Sequence, residues 1–228
     1  MDADNYTANE GNRLKVLVVD DHPVVRHGLK LLLNLESDLM VCAEAEDEST
    51  ALSALQSLTP DVAIIDISLK NCDGIRLIKN VKRRYPGLQV LVLSMHDESL
   101  YAERALLAGA SGYIMKQEAP ESIIKAIRHI HKCNIYLSER MCAKMLNKFL
   151  SSNRAGPSPT LEILSDRELE VYRLIGKGLA TREIADQLNL SIKTIETFRA
   201  KIKNKLKLKN AAELAQHAIH FILSTDSR

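Results

Sequence analysis

The sequence predicts an α/β fold, a doubly wound parallel sheet of five strands, followed by a C-terminal all-α domain of four helices. Three observations predict it. Short apolar runs recur at Val16 to Val19, Val62 to Ile65, Val90 to Leu93 and Tyr113 to Met115, with a weaker run at Met40 to Ala43. Between them lie segments with apolar residues at helical spacing, such as Leu52, Leu55, Leu58 and Ile123, Ile127, Ile130. Past the stretch SSNRAGPSPT the pattern becomes wholly helical.

Uninterrupted apolar runs are the mark of strands covered on both faces, and βα alternation through right-handed crossovers places helices on both sides of the sheet. The first strand follows a polar, acidic N-terminal stretch, expected to be flexible over residues 1–14, and it ends in Asp20 and Asp21. The third ends in Asp66, the fourth in Ser94, and the fifth in Met115-Lys116. Open α/β sheets hold their sites at the carboxyl ends of the strands, so these polar residues are expected to converge. A helix runs from after Glu118 to about Lys132, closing a domain over 15–132. Leu137 to Leu150 reads as a further helix, and the Ser, Gly and Pro of 151–160 mark the rest of a 133–160 linker.

The C-terminal domain, 161–228, is well punctuated. Ser165 and Glu168 have capping-box spacing before Leu169, Val171, Leu174 and Ile175, and Gly176 to Gly178 ends that helix. A second helix starts near Thr181, Asn189 and Leu190 turn the chain, Ser191 caps a third helix, and Asn210 to Leu223 forms a fourth. A short helix, a tight turn and a basic helix make a helix-turn-helix pattern.

Composition narrows the class. No stretch is long and apolar enough to span a bilayer, and the first fifteen residues carry no apolar signal region, which predicts a soluble cytoplasmic protein with no membrane partner. Cys42, Cys72, Cys133 and Cys142 are widely spaced, with no C-x-x-C pair, and read as buried or incidental thiols. From Ser151 onward thirteen Lys/Arg face nine Asp/Glu, whereas the remainder is slightly acidic. Between Lys193 and Lys209 seven basic residues accompany the single Glu196, a density suited to a polyanion, although a solvated lysine-rich face has the same composition.

Three carboxylates at one sheet edge repel, raising one or more pKa values, so a cation is expected among them. Mg2+ fits best, because it takes a few carboxylates and leaves positions for water and phosphate oxygens. Asp66 is then placed to act as an oxygen nucleophile toward a phosphoryl group, with the Lys116 ammonium pairing with the transferred oxygens. Taken singly, each residue also reads as a turn, a helix cap or a surface ion pair.

Asp20-Asp21, Asp66, Ser94 and Lys116, at the ends of four separate strands within 15 to about 132, resemble the receiver domain of two-component response regulators. The resemblance implies the flavodoxin-like strand order 2-1-3-4-5. It also implies that Asp66 accepts a phosphoryl group from a cognate histidine kinase. Asp21 and Asp66 would bind Mg2+ directly, Asp20 mainly through water, and the Ser68 backbone carbonyl would be a further ligand. Ser94 would be the switch hydroxyl and Tyr113 the aromatic that turns inward with it. The sequence departs from the family at Lys70, where proline is usual. His96 and Ser68 lie where side chains tune the lifetime of the phosphoryl group.

In the third C-terminal helix, Ile195, Phe198, Ile202 and Leu206 share one face and are expected to pack on the preceding helices. At about 100° per residue, Lys193, Thr197, Ala200 and Asn204 lie opposite, with Glu196, Lys201 and Lys207 on the flanks. Lys, Asn and Thr suit base edges, flanking lysines suit phosphates, and Ala200 permits close approach. The stretch from Leu164 through Gly178, Glu183-Ile184-Ala185 and Ser191-Ile192-Lys193-Thr194-Ile195 to Lys205-Leu206 resembles the LuxR-type helix-turn-helix. With the receiver it implies a transcription regulator of the NarL/FixJ class. Phe198 departs from the family's more usual histidine.

By that pattern Thr181 touches a phosphate, though a plain cap is the simpler role, and Thr194 joins the DNA-facing set. Arg199, nearer the core, is expected to pair with Glu168. The expected partners are double-stranded DNA, read at paired half-sites, and a second copy of the chain in an active homodimer. Two other readings share the residues: a DNA-binding regulator with a degenerate receiver that ignores phosphorylation, and an aspartyl phosphohydrolase. The latter usually sets nucleophile and acid two residues apart on one strand end.

Overall fold

The computed structural model describes residues 13–69, 72–132, 134–151 and 163–226. Lys70, Cys133, most of the 1–14 segment, residues 152–160 of the connector and residues 161–162 at the start of the C-terminal domain lie outside the described residues. The chain divides between Asn153 and Arg154 into two compact units.

In the first unit, β1 (Leu14–Val19), β2 (Leu39–Ala45), β3 (Val62–Ile65), β4 (Gln89–Ser94) and β5 (Gly112–Met115) alternate with α1 (Pro23–Asn34), α2 (Glu48–Leu58), α3 (Gly74–Arg84), α4 (Glu98–Leu107) and α5 (Pro120–His131). The sheet has the order β2-β1-β3-β4-β5, with every pair parallel. Val16, Val18, Val62, Ile64, Leu91 and Leu93 pack on one face with Leu29 and Leu33 of α1 and Ile123, Ile127 and Ile130 of α5. The alternate residues Leu17, Val19, Ala63, Ile65, Val90 and Val92 are equally buried, so the strands are covered on both faces, as continuous apolar runs require.

The helix read from Leu52, Leu55 and Leu58 is present, but its inner face differs. Ala51 and Leu55 are buried while Leu58 is exposed, because residues four apart overlie one another better than two successive steps of three. After α5 the chain adds an unforeseen bridge at the sheet edge: Tyr136 pairs in parallel with Gly112, and Tyr113 N–H donates to the Tyr136 carbonyl at 3.0 Å. This satisfies backbone groups of edge strand β5. A further helix, α6 (Glu139–Ser151), belongs to this unit and touches α4. Ser138 caps it, with Oγ accepting from Met141 N–H at 3.1 Å and donating to Glu98. Cys42 and Cys72 are half-buried and Cys142 is exposed, so none of these three is a fully buried thiol.

The second unit contains α7 (Asp166–Gly176), α8 (Thr181–Gln187), α9 (Ile192–Leu206) and α10 (Ala211–Asp226). The Ser165–Glu168 capping box forms as read. Gly178, at φ +85°, turns the chain out of α7, a conformation that disfavours a side chain. Asn189 at φ +51° makes the tight turn, and Ser191 caps α9 by accepting from Thr194 N–H at 3.0 Å. Leu169, Val171, Tyr172, Ile175, Ile184, Ile195, Ile202, Leu214 and Ala218 form the core.

Candidate functional site

The strand ends of the first unit bring Asp20, Asp21 and Asp66 together. One ligand atom from each, with one from His22, lies within 4.8 Å of the others. Asp20 and Asp66 are each only 2% exposed. Lys116, just past β5, reaches across the sheet edge, and its Nζ donates to Asp20 Oδ2 at 2.5 Å and to Asp66 Oδ2 at 2.7 Å. These contacts join residues 96 and 50 positions apart, a convergence that parallel strand ends impose.

Backbone groups hold the acids in place. Ser68 N–H donates to Asp66 Oδ1 at 2.9 Å, and His22 N–H donates to Asp20 Oδ1 at 2.8 Å. Arg26 Nη1 donates to the Asp20 carbonyl at 2.6 Å, and His22 Nδ1 lies 2.7 Å from Asp21 Oδ1. The Ser68 hydroxyl is buried with no hydrogen-bond partner among the described residues.

Electrostatics follow from burial more than from repulsion. Burial pushes the Asp66 carboxyl above the usual carboxylate range, Lys116 offsets part of the rise, and the Asp20 charge adds a smaller upward push. Mutual repulsion, expected from the sequence as the cause, is thus secondary to desolvation. Burial acts to lower the Lys116 ammonium, but the charges and hydrogen bonds of Asp66 and Asp20 outweigh it and raise it. Among the described residues, Lys116 is therefore a cation seated among the acids. The donors offered are mainly carboxylate oxygens, the set that a hard divalent cation such as Mg2+ prefers.

Ser94, fully buried at the end of β4, accepts from His96 N–H at 3.2 Å. Tyr113 is turned inward: it is 1% exposed, and its hydroxyl donates to the His96 carbonyl at 2.8 Å. Burial holds that hydroxyl well above the usual phenol range. The His96 ring stacks on Tyr101 of α4, with centroids 4.6 Å apart. Ser94, His96, Tyr113 and Tyr101 thus connect the end of β4 to α4.

Two contributors escaped the sequence reading. Gly74 opens α3 against the loop that carries Asp66: an added Cβ would lie 2.4 Å from Ile67 Cα and 2.8 Å from the Asp66 carbonyl oxygen. The Asp73-Gly74 pair, a polar cap followed by the smallest residue, was the available signal. His22, adjacent to the two acids, was legible only as a neighbour.

In the second unit, Lys193, Glu196, Thr197, Ala200, Lys201, Asn204 and Lys207 are all exposed, and Thr194 is half-buried at the start of the same helix. Ile195, Ile202 and Leu206 are buried as expected, whereas Phe198 is only half-buried. Thr181 does not cap α8. It is the first helical residue, Ala180 holds the cap position, and Glu183 Oε2 accepts from Ala180 N–H at 2.7 Å. The expected Arg199 partner of Glu168 is also corrected. Lys205 Nζ donates to Glu168 Oε2 at 2.5 Å, and the same carboxylate oxygen accepts from Ser165 N–H at 2.7 Å. Nearly two turns further along α9, Lys205 meets the start of α7, where Glu168 is fixed by its cap.

Comparison with known proteins assigns each unit to a family. Residues 16–128 match the response regulator receiver domain, and residues 162–218 match the bacterial regulatory proteins of the luxR family. Oxygen regulatory protein NreC of Staphylococcus aureus (strain MRSA252) is 35% identical over 210 residues, covering 90% of this chain and 97% of that protein. RcsB of Salmonella enterica serovar Typhimurium, solved bound to promoter rprA in the presence of phosphomimetic BeF3-, is 31% identical with a TM-score of 0.57. The match covers 91% of this chain and 98% of that one. A further RcsB structure, from Salmonella typhimurium, matches at 31% identity with a TM-score of 0.60, over 92% of this chain and 98% of the other. The chain belongs to the response regulators that join a receiver domain to a LuxR-type helix-turn-helix, and it is a transcription regulator. No helix among the described residues is long and apolar enough to cross a membrane.

Proposed function

We propose that Asp66 is the phosphoacceptor of this regulator and that its phosphorylation switches dimerisation and DNA binding by α9. The observation that carries the reading is Lys116 Nζ within hydrogen-bond distance of both Asp20 and Asp66 beside Asp21. An Asp66 carboxylate oxygen attacks the phosphorus of a histidine kinase's phosphohistidine, and the phosphorus–nitrogen bond breaks as the phosphorus–oxygen bond forms. Asp20, Asp21, Asp66 and the Ser68 carbonyl would hold Mg2+, with Asp20 acting mainly through water; the ion supplies charge neutralisation on the transferred oxygens. Lys116, already poised on Asp66, pairs with an oxygen of the new acyl phosphate, and Ser94 donates its hydroxyl to another. That movement frees His96 N–H, and Tyr113, held on the His96 carbonyl, follows the loop. His96 and the Ser68 hydroxyl flank the phosphoryl group and set its lifetime.

The receiver module is assigned to 15–132, the connector to 133–160 and the DNA-binding module to 161–228. Lys193, Thr194, Glu196, Thr197, Ala200, Lys201 and Asn204 meet DNA from α9, and Thr181 meets a phosphate. A homodimer places two α9 helices at paired half-sites. The protein acts in the cytoplasm as a phosphorylated switch rather than as an enzyme with turnover.

Intact-mass measurement after incubation with a small phosphodonor and Mg2+, paired with DNA binding, tests the scheme. The wild type gains one phosphoryl group and binds DNA more tightly, and Asp66→Asn does neither. An equal mass gain in Asp66→Asn, or DNA binding indifferent to the donor, refutes it.

A further inference from the structure

The exposed face of α9 is less polar than its residue types suggest. A shallow hollow of about 320 Å³ on this helix is lined by Ser191, Lys193, Thr194, Thr197, Phe198 and Lys201. Three of these residues carry hydroxyls, and all three hydroxyls are engaged within the helix. Ser191 Oγ accepts from Thr194 N–H at 3.0 Å and lies 2.8 Å from Thr194 Oγ1, and Thr197 Oγ1 donates to the Lys193 carbonyl at 2.9 Å. With its hydroxyls turned to the helix, the hollow offers the Phe198 ring and threonine methyl groups between two lysine ammoniums. Phe198 shares the stripe of Ile195, Ile202 and Leu206, yet those three are buried and it is not.

An apolar floor with a cationic rim has a specific complement in duplex DNA. The phosphates answer the lysines. In the major groove the one apolar group among the base edges is the 5-methyl of thymine, which Phe, Ala and threonine methyl groups contact. We propose that Phe198 is a specificity-determining residue that reads a thymine methyl group, with Lys193 and Lys201 on the flanking phosphates. This rests on α9 being the helix that enters the groove.

The test uses full-length protein treated with a small phosphodonor and Mg2+, and a pool of duplexes with a randomised core. Enriched duplexes are remade with each thymine replaced in turn by uracil, which removes only the 5-methyl group. At one thymine in each half-site affinity falls about fourfold, the effect of one buried methyl-sized group. In Phe198→Ala the same replacement leaves affinity unchanged. Phe198→His, which keeps a flat ring of similar size but makes it polar, gives the same loss of discrimination and serves if the alanine variant does not fold. Uracil tolerated at every position by the wild type overturns the inference, as does discrimination retained in a folded variant. Unfolding of both variants returns Phe198 to the core and overturns it too. If no duplex is enriched, α9 is not the groove helix, and both readings fall together.

Discussion

Replacing Gly74 by alanine adds a single methyl group at the point where α3 meets the loop carrying Asp66. The new Cβ would lie 2.4 Å from Ile67 Cα, 2.8 Å from the Asp66 carbonyl oxygen and 2.9 Å from Ile67 C, whereas ordinary contact begins at 3.4 Å. All three neighbours are backbone atoms, so no flexible side chain can yield, and helix and loop must separate by about 1 Å. Overpacking of this kind costs about 1–3 kcal/mol. The better helix propensity of alanine offsets less than about 1 kcal/mol, because Gly74 is the first residue of α3.

A net loss of about 1–2 kcal/mol corresponds to a fall of roughly 4–8 °C in the receiver's melting temperature. The same displacement misaligns Asp66 relative to Ser68 N–H and Lys116, and a shift of about 1 Å at a reacting group slows reaction on the order of 100-fold. Thermal melting and the rate of mass gain from a small phosphodonor measure the two effects. Gly28→Ala is the control: Gly28 lies within α1 with nothing within 4 Å of its added Cβ. That change should raise stability by up to about 1 kcal/mol. Melting and phosphorylation unchanged in Gly74→Ala would refute the reasoning.

Lys205→Met removes the charged partner of the buried Glu168 carboxylate among the described residues, and Arg199→Ala does not. Breaking a fully buried pair costs about 3–5 kcal/mol; Lys205 is 40% exposed, and Glu168 keeps Ser165 N–H, so about 1–2 kcal/mol is expected. Urea unfolding of the full-length protein followed through the second unit checks this, and an equal loss in both variants would contradict the pairing. The same carboxylate sets a pH dependence. Burial acts to raise Glu168, but Lys205 and Ser165 outweigh it and lower it in the folded state. Its contribution is therefore complete above its unfolded value, about 4.3, and is lost as pH falls through the lower folded value. Glu168→Gln should flatten that acid limb, and an unaltered limb would count against the pair. Mg2+ at about ten times its dissociation constant should stabilise the receiver by about 1.4 kcal/mol. Asp21→Asn should abolish that gain in a magnesium-dependent melting series, and an undiminished gain would exclude Asp21 as a ligand.

Apolar runs and helical spacing marked every strand and most helix limits. Both are local patterns that reflect burial on two faces of a strand or one face of a helix, so chain order carries them. The acidic site was legible for the same reason: parallel strands deliver their C-terminal residues to one edge, and Asp20, Asp21, Asp66, Ser94 and Lys116 each end or follow a strand. Ser191 and the Ser165–Glu168 box were legible because capping spans only three residues.

The tertiary structure alone decided contacts between elements. Which basic residue of α9 reaches Glu168 depends on how α9 crosses α7, and the crossing selects Lys205 over Arg199. Whether Phe198 is core or surface depends on where the neighbouring helices stop, which periodicity does not encode. Gly74 matters through a backbone approach of 2.4 Å, and Lys116 bridges two acids rather than one because β1, β3 and β5 share an edge at this spacing. The sequence by itself determined which groups arrive at the site, because alternation and capping are local. Their pairing and their burial, and hence the raised Asp66 pKa, were decided by distances between segments far apart in the chain.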